Sequence, residues 1–550
     1  MSVFQPKLIT TLKDYNKEQF ISDVTAGIIV AIIALPLSIA LGISSGVSPE
    51  KGLYTAIIAG FITSLLGGSR VLIGGPTGAF MVIVYGIVMQ YGLNGLILAT
   101  MMAGVILILM GLLKLGTLIK FMPYPITTGF TSGIAVVIFS SQIKDFFGLQ
   151  IDNVPAEFVE KWLVYFEHFN TFHIQSFAVG VIALLTIVLW PKVNQKIPGS
   201  LIALIVTTLL VQLMHLDVPT IGSKFGELSS SFPMPHLPSV SFERIQTLMK
   251  PAFTIAMLGA IESLLACVVA DGMIGGKHRS NTELIAQGTA NIASGLFGGI
   301  PATGAIARTA ANIKNGGRTP VAGMVHAVVL LLIVLIFMPL AKMIPLASLA
   351  SILIVVAYNM SEWREFVGLL HASKSDAVVL LVTFFLTVAI DLVVAIQFGI
   401  ILAAFLFVKR MADVAEVNHL LYEAGEESEN TPEELIHQTK NILIYEINGP
   451  FFFGIADKFI NRLDEVQYSG EFLIIRMRNV PAMDATAFHG LIRLEKKCKS
   501  HQLRLLFSGV NEQPMKMMRQ NGFVDRIGED AFFDSIHDAK AYAEKELKHL

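Results

Sequence analysis

An all-α membrane domain of about fourteen segments, followed by a small α/β domain, is the fold class this sequence predicts. Three observations carry the prediction. The chain is 53% apolar and only 15% charged, apolar runs follow one another from about residue 22 to 408, and beyond Arg410 the composition turns mixed and acidic. A mean hydropathy of +0.65 over 550 residues is that of a membrane protein rather than an ordinary soluble one.

Several function classes are excluded at the same stage. The formal net charge of −2 and the lack of a long basic tract leave nothing to track nucleic acid. Cys267 and Cys498 are the only cysteines, one in an apolar run and one in the polar tail, too few for a disulfide framework or a cysteine metal cluster. The thirteen histidines form no HExxH pair, and no Walker-type glycine loop occurs, so the chain is read as not an enzyme, with no cofactor and no metal centre. Residues 1–21 are polar and show no cleavage-site pattern, which reads as a cytoplasmic tail.

A spanning helix needs roughly 20 apolar residues. By that measure the expected segments are 24–44, 52–67, 94–113, 125–142, 174–191, 199–215, 252–270, 283–297, 320–338, 346–359, 376–390 and 392–408. Two shorter ones, 77–91 and 302–313, follow breaks rich in Gly and Pro, and Asp391 divides an apolar stretch too long for one span. Residues 22–410 thus form the membrane domain, with both termini on one side. Lys and Arg collect in cytoplasmic loops. With the N-terminus inside, the inner loops hold Lys114 and Lys120, Lys192 and Lys196, Lys277 and Arg279, Lys314 and Arg318, and Arg364 and Lys374, with Lys409 and Arg410 at the end. The outer loop 145–172 leans acidic, with Asp145, Asp152, Glu157 and Glu160. The expected location is therefore the cytoplasmic membrane, multi-pass and in contact with lipid, with both termini cytoplasmic.

An acidic connector at 411–437 contains Glu423, Glu426, Glu427, Glu429 and Pro432. Residues 438–550 then alternate strand and helix patterns: strands at Asn441–Ile447, Phe472–Met477 and Leu503–Ser508, helices at Ala456–Val466, Ala487–Cys498, Pro514–Gln520 and Ile536–Lys548. This predicts a small open sheet with its own core.

Two stretches in corresponding halves resemble each other: Gly74-Gly75-Pro76-Thr77-Gly78-Ala79 and Gly298-Gly299-Ile300-Pro301-Ala302-Thr303-Gly304-Ala305. Each precedes an apolar run too short to span. Transporters built from inverted repeats place their sites where such broken helices meet. The unpaired N–H groups of a helix start carry partial positive charge, so an anion is the natural guest. Glu262 lies within the 252–270 span, where an acid costs on the order of 3 kcal/mol unless solvated, paired or protonated. It is expected to face a polar cavity and to carry a coupling ion, either a proton or a sodium beside it. Arg308, near the start of the second short helix, is placed to add a fixed positive charge. His326 is expected to be a hydrogen-bonded core residue, and Asp271, Lys277 and His278 belong to a loop.

With these residues in view, the sequence resembles the sulfate permease family, also called solute carrier family 26. The resemblance runs through Asp23-Val24-Thr25-Ala26-Gly27 and Pro36, Gly75-Pro76-Thr77, Glu262-Ser263-Leu264-Leu265, Asp271-Gly272-Met273, Asn281 to Gly288, and Ala305-Ile306-Ala307-Arg308-Thr309. It implies a seven-plus-seven inverted repeat divided into core and gate domains, with short strands before the two half-helices. It further implies a cytoplasmic STAS domain at 438–550, a homodimer, and a protein partner for the STAS domain. The family's anion site falls on Leu37, Leu41, Thr77, Gly78, Phe80, Ala302, Thr303 and Gly304 with Arg308 nearby, and Glu262 takes the place of its coupling acid. Around Glu262 and Arg308 the sequence is similar to the family's bacterial C4-dicarboxylate transporters, which implies succinate, fumarate and aspartate carried with protons. Some members have Gln or Glu where Leu37 stands and Asp where Glu262 stands, which leaves sulfate or bicarbonate, and sodium, open. In the tail, Asp484 and Thr486 occupy the STAS regulatory loop. Relatives with a phosphorylatable serine have it where this chain has Ala485, and Thr486 is expected to cap the following helix.

The function expected is secondary active transport of a small anion by elevator-like movement of core against gate. A nucleobase permease, a passive anion channel and a membrane scaffold are the rival readings.

Overall fold

The computed structural model describes residues 4–117, 122–194, 197–228, 230, 234–390, 392–414, 416–419, 441–452 and 471–548. The chain divides into two compact units, Met1–Ile401 and Leu402–Leu550. The expected Ala456–Val466 helix, Lys120, Lys196, Asp391 and the acidic connector residues lie outside the described residues.

Each expected membrane segment is present as a helix. In chain order these are α1 (Lys17–Ser44), α2 (Pro49–Leu66), α3 (Gly78–Leu112) and α4 (Tyr124–Phe147). After a short outer-loop helix, α5 (Phe158–Glu167), come α6 (Ile174–Leu189), α7 (Gly199–Leu213), α8 (Phe242–Ile274) and α9 (Ser280–Leu296). The series closes with α10 (Ile306–Lys314), α11 (Pro320–Ala341), α12 (Leu346–Met360), α13 (Lys374–Ala389) and α14 (Leu392–Val414). Helix α3 contains two expected segments joined at Gly92, whose φ of 68° breaks the helix there. Among the described residues, eight helices are long and apolar enough to cross a membrane by length and composition. Local chemistry sets their starts: Asn16 Oδ1 accepts from Gln19 N at 2.8 Å to cap α1, and Pro49 and Pro320 occupy first-turn positions where no N–H is needed.

The helices pack as two groups. Helices α1, α2, α3, α8, α9, α10 and α11 form one, and α4, α6, α7, α12 and α13 the other. Within the first, α3 packs on α8 and α9 as α11 packs on α1 and α2; within the second, α13 on α4 is matched by α6 on α12. Exchanging the halves maps each packing onto its counterpart, which is the signature of the repeat read from the two glycine-rich stretches. Close approach is made by small residues. A Cβ on Gly288 of α9 would lie 2.5 Å from the Gly104 carbonyl of α3, and one on Gly104 would lie 2.5 Å from the Gly288 carbonyl. With lipid offering no hydrophobic incentive, such backbone proximity is what holds membrane helices together.

Two short strands precede the half-helices. Strands β1 (Gly74–Gly75) and β2 (Thr303–Gly304) pair antiparallel, Gly74 opposite Gly304 and Gly75 opposite Thr303. Buried carboxylates secure the loops around them. Asp23 accepts from Thr319 Oγ1 at 2.6 Å and from Arg318 N at 2.9 Å, and Glu283 accepts from Gly68 N at 2.8 Å. His326 is fully buried, the core position expected of it.

In the second unit, strands β3 (Glu416–His419), β4 (Ile442–Asn448), β5 (Phe472–Asn479), β6 (Arg504–Ser508) and β7 (Phe532–Phe533) form one sheet in that order. Strand β3 runs antiparallel to β4 and the others are parallel. Part of the stretch expected to be connector is thus a strand. Helices α15 (Ala485–Ser500), α16 (Glu512–Gln520) and α17 (Ile536–Leu547) accompany the sheet. One core joins Leu473, Ile475 and Phe507 to Phe488, Leu491 and Phe523, and a second joins Phe472, Ile474 and Leu506 to Ala539 and Ala543 of α17. Alternate residues of β5 and β6 thus serve opposite faces of the sheet.

Candidate functional site

The two half-helix starts converge. Thr77 is the N-cap residue of α3, yet its hydroxyl caps no N–H of its own helix. It donates instead to Glu262 Oε2 on α8, at 2.9 Å. The N-cap of α10, Ala305, has no side chain capable of capping. Both helix starts therefore keep first-turn N–H groups free of side-chain caps, each a source of partial positive charge.

Arg308 on α10 reaches across to the other repeat, where Nη2 donates to the Pro76 carbonyl. Its side chain is buried, and Nη1 has no partner among the described residues. Space for the guanidinium depends on Gly75: a Cβ there would lie 2.5 Å from Nη1, and the φ of 148° is one that side chains rarely adopt. Arg308 bonds the Pro76 carbonyl rather than pairing with Glu262.

These groups line a cavity of about 520 Å³. Its wall includes Leu37, Leu41, Thr77, Gly78, Glu262, Gly304 and Arg308 of the residues expected from sequence. The other three expected residues lie behind it. Phe80 is fully buried, its ring 3.6 Å from where a Cβ on Gly259 would stand. The backbone of Ala302 is clamped by Asn291, which donates to its carbonyl and accepts from its N–H, both at 2.9 Å. The Thr303 hydroxyl bonds Ser263 Oγ at 2.7 Å and the Gly259 carbonyl at 3.1 Å. Ala302 and Thr303 brace the half-helix start, while Phe80 fills space beneath it.

Sequence reasoning missed the opposite wall. Thr127, Phe130 and Thr131 of α4, Asn359 and Met360 of α12, and Ile396 of α14 face the same cavity. Threonines spaced i, i+4 in an apolar helix were the available signal. At one end lie Met122, Lys314 and Glu362. No group of three or more His, Cys, Asp or Glu able to hold a metal ion occurs among the described residues.

In the second unit Asp484, not Thr486, caps α15: its Oδ1 accepts from Ala487 N at 2.8 Å. Thr486 lies inside the helix and is exposed. The aspartate has the extended backbone that a cap requires, and the threonine stands two positions too late, already inside the first turn.

Residues 20–383 match the model of the sulfate permease family, and residues 435–539 match that of the STAS domain. The chain is 43% identical over 528 residues to the "Putative sulfate transporter YvdB" of Bacillus subtilis, covering 96% of this chain and 98% of that one. It is 31% identical over 542 residues to the bicarbonate transporter BicA of Picosynechococcus, covering 94% and 93%. The transmembrane domain of a cyanobacterial BicA superposes with a TM-score of 0.64 at 32% identity, over 70% of this chain and 98% of that one. The fold is also that of murine Slc26a9 in its inward-facing state, with a TM-score of 0.86 at 18% identity, covering 98% and 94%. Converging half-helices, a cavity between two helix groups and these matches lead to one conclusion: the chain belongs to the sulfate permease family, as a multi-pass membrane anion transporter with a C-terminal STAS domain.

Proposed function

We propose that the chain is a secondary active transporter in which a small oxyanion sits between the free half-helix N–H groups and Arg308, while Glu262 carries the coupling ion. The observation that carries this reading is the Thr77–Glu262 hydrogen bond at 2.9 Å, which ties the coupling carboxylate to the tip of an anion-facing helix. Cation arrival at Glu262 and anion arrival at the α3 start then share one hydrogen-bond network, the physical requirement for coupling. Transport proceeds by movement of the group bearing Thr77, Glu262 and Arg308 against the group bearing Phe130 and Asn359. Lys314, the last residue of α10, and Glu362, close to Arg364, stand at segment ends that the charge pattern assigns to the cytoplasm, which supports an inward-open state with both termini inside.

The names of the relatives support sulfate or bicarbonate as the anion. A second reading, a C4-dicarboxylate such as succinate, fumarate or aspartate with proton coupling, is supported by the cavity wall, where Leu37, Leu41, Phe130, Ile261 and Ile396 offer apolar surface to a carbon chain. A homodimer, and a cytoplasmic partner binding the STAS domain near Asp484 and Thr486, belong to the same proposal. Uptake by purified protein in liposomes, with sulfate, bicarbonate and succinate compared at several pH values with and without sodium, tests it. Accumulation of one anion against its gradient, driven by one cation, is the expected result. Equilibration without accumulation would identify a channel, and uracil uptake a nucleobase permease.

A further inference from the structure

A second cavity lies further along the same helices, away from Lys314 and Glu362. Leu37 and Leu41 of α1 line the central cavity, and Ile43 and Ser44 line this one. On α3 the sequence is Gly78 and then Met81, Val82 and Tyr85; on α4 it is Phe130 and Thr131 and then Ser141 and Lys144. Three helices thus pass from one cavity to the other within a few turns, at 1.5 Å per residue. The second cavity measures about 220 Å³ and is closed on one side by α5 and by Lys224.

Its charges are unbalanced. Lys144, Lys161 and Lys224 face Asp145 and Asp152. Lys144 Nζ donates to the Ile151 carbonyl. Lys161 is 5% exposed, and its ammonium has no hydrogen bond or ion pair with any described residue. One turn on, at the same face of α5, the Tyr165 hydroxyl is buried and also lacks a partner among the described residues. A buried lysine without an ion-pair contact is costly, and burial lowers this one to about 8. An unpaired ammonium and a buried, unpartnered hydroxyl lining one cavity are the donor set of an anion site.

We propose that this cavity is an outer receiving site for the transported oxyanion, held by the Lys161 ammonium and the Tyr165 hydroxyl before it passes along α1, α3 and α4 to the central cavity. The inference rests on the anion-transport reading. It assigns function to α5, an element that the central site does not use. Lys144 and Lys224 raise the local positive potential, and Asp145 and Asp152 limit it so that the anion is released onward.

Initial rates in liposomes with inserted protein of known orientation test it, using whichever of radiolabelled sulfate, bicarbonate or succinate the wild type accumulates. In Lys161→Gln the KM measured from the face bearing Lys161 is expected to rise about tenfold, with the KM from the opposite face unchanged. Lys161→Arg is expected to restore most of the difference. Tyr165→Phe, which removes one oxygen and keeps the packing, is expected to raise the same KM about threefold and decides the matter if Lys161→Gln does not fold. An unchanged KM in folded Lys161→Gln or Tyr165→Phe, or an equal rise on both faces, overturns the receiving site and leaves the transport reading intact. Failure of the wild type to move any of the three anions overturns both.

Discussion

Thr77 and Glu262 belong to opposite repeats, yet the threonine hydroxyl donates to the glutamate carboxylate at 2.9 Å. Both residues forgo ordinary partners for this contact. Thr77 leaves its own helix uncapped, and Glu262 takes its hydrogen bond inside a membrane domain where an acid otherwise raises the cost of folding. The pair is therefore the point at which the first half-helix and the coupling group act on each other.

Replacing Glu262 by Gln keeps the shape and removes the ionisable group. Uptake driven by an ion gradient is expected to fall to background, while exchange of labelled for unlabelled anion across the same liposomes persists. Gradient-driven accumulation at the wild-type level would remove Glu262 from the coupling mechanism.

Thr77→Val deletes the hydroxyl without changing side-chain volume much. A hydrogen bond to a charged group contributes about 1.5–3 kcal/mol, so a loss of roughly tenfold to a hundredfold in coupled uptake is expected. Thr77→Ser should recover most of it, and equal rates for the Val and Ser variants would contradict the assignment.

At the α3–α9 crossing, Gly288→Leu places a side chain where the Gly104 carbonyl stands 2.5 Å from a Cβ position. Overpacking of this kind costs about 1–3 kcal/mol. The expected outcome is a lower thermal midpoint in detergent and a smaller folded fraction by size-exclusion chromatography, with Gly272→Ala, which has open space at that position, close to wild type.

For the STAS domain, Asp484→Ala removes the cap of α15 and is expected to destabilise the domain by about 1 kcal/mol, whereas Thr486→Ala should change little. Limited proteolysis of the full chain compares the two. Equal sensitivity would argue that the aspartate cap does not matter.

Burial pushes the Cys498 thiol up to about 12, above the ordinary thiol range. Between the unfolded and folded values the native state holds a proton that the unfolded chain releases. This contribution to stability is therefore complete below the ordinary value and is lost as pH rises toward the folded one. Because the thiolate is the reactive form, iodoacetamide at pH 9 is expected to leave Cys498 unmodified in the native protein and to label it after denaturation. Peptide mass spectrometry gives the readout.

The membrane helices were legible in the sequence because hydropathy and loop charge act locally: each span announces itself by its own twenty residues. The half-helix starts were legible for the same reason, through Gly, Pro and Thr in two matching stretches. The far wall of the cavity was not. Phe130 and Asn359 are unremarkable in their own helices, and only the packing of α4 and α12 brings them opposite Thr77. The same limit hid the positions of Ala302 and Thr303. Their alignment with the site is a property of the chain, but Asn291 and Ser263 decide that they brace it from behind. Strands β3 and β7 escaped notice because four and two residues carry too little alternation to register.

The Gly74–Gly304 pairing joins stretches made far apart in time during synthesis. Until the second repeat has left the ribosome, the first has no neighbour to accept its strand. A bare peptide group in hydrocarbon costs several kcal/mol. The N-terminal half is therefore made before the partner of its strand exists, and the binding pocket comes into being only when the late half arrives.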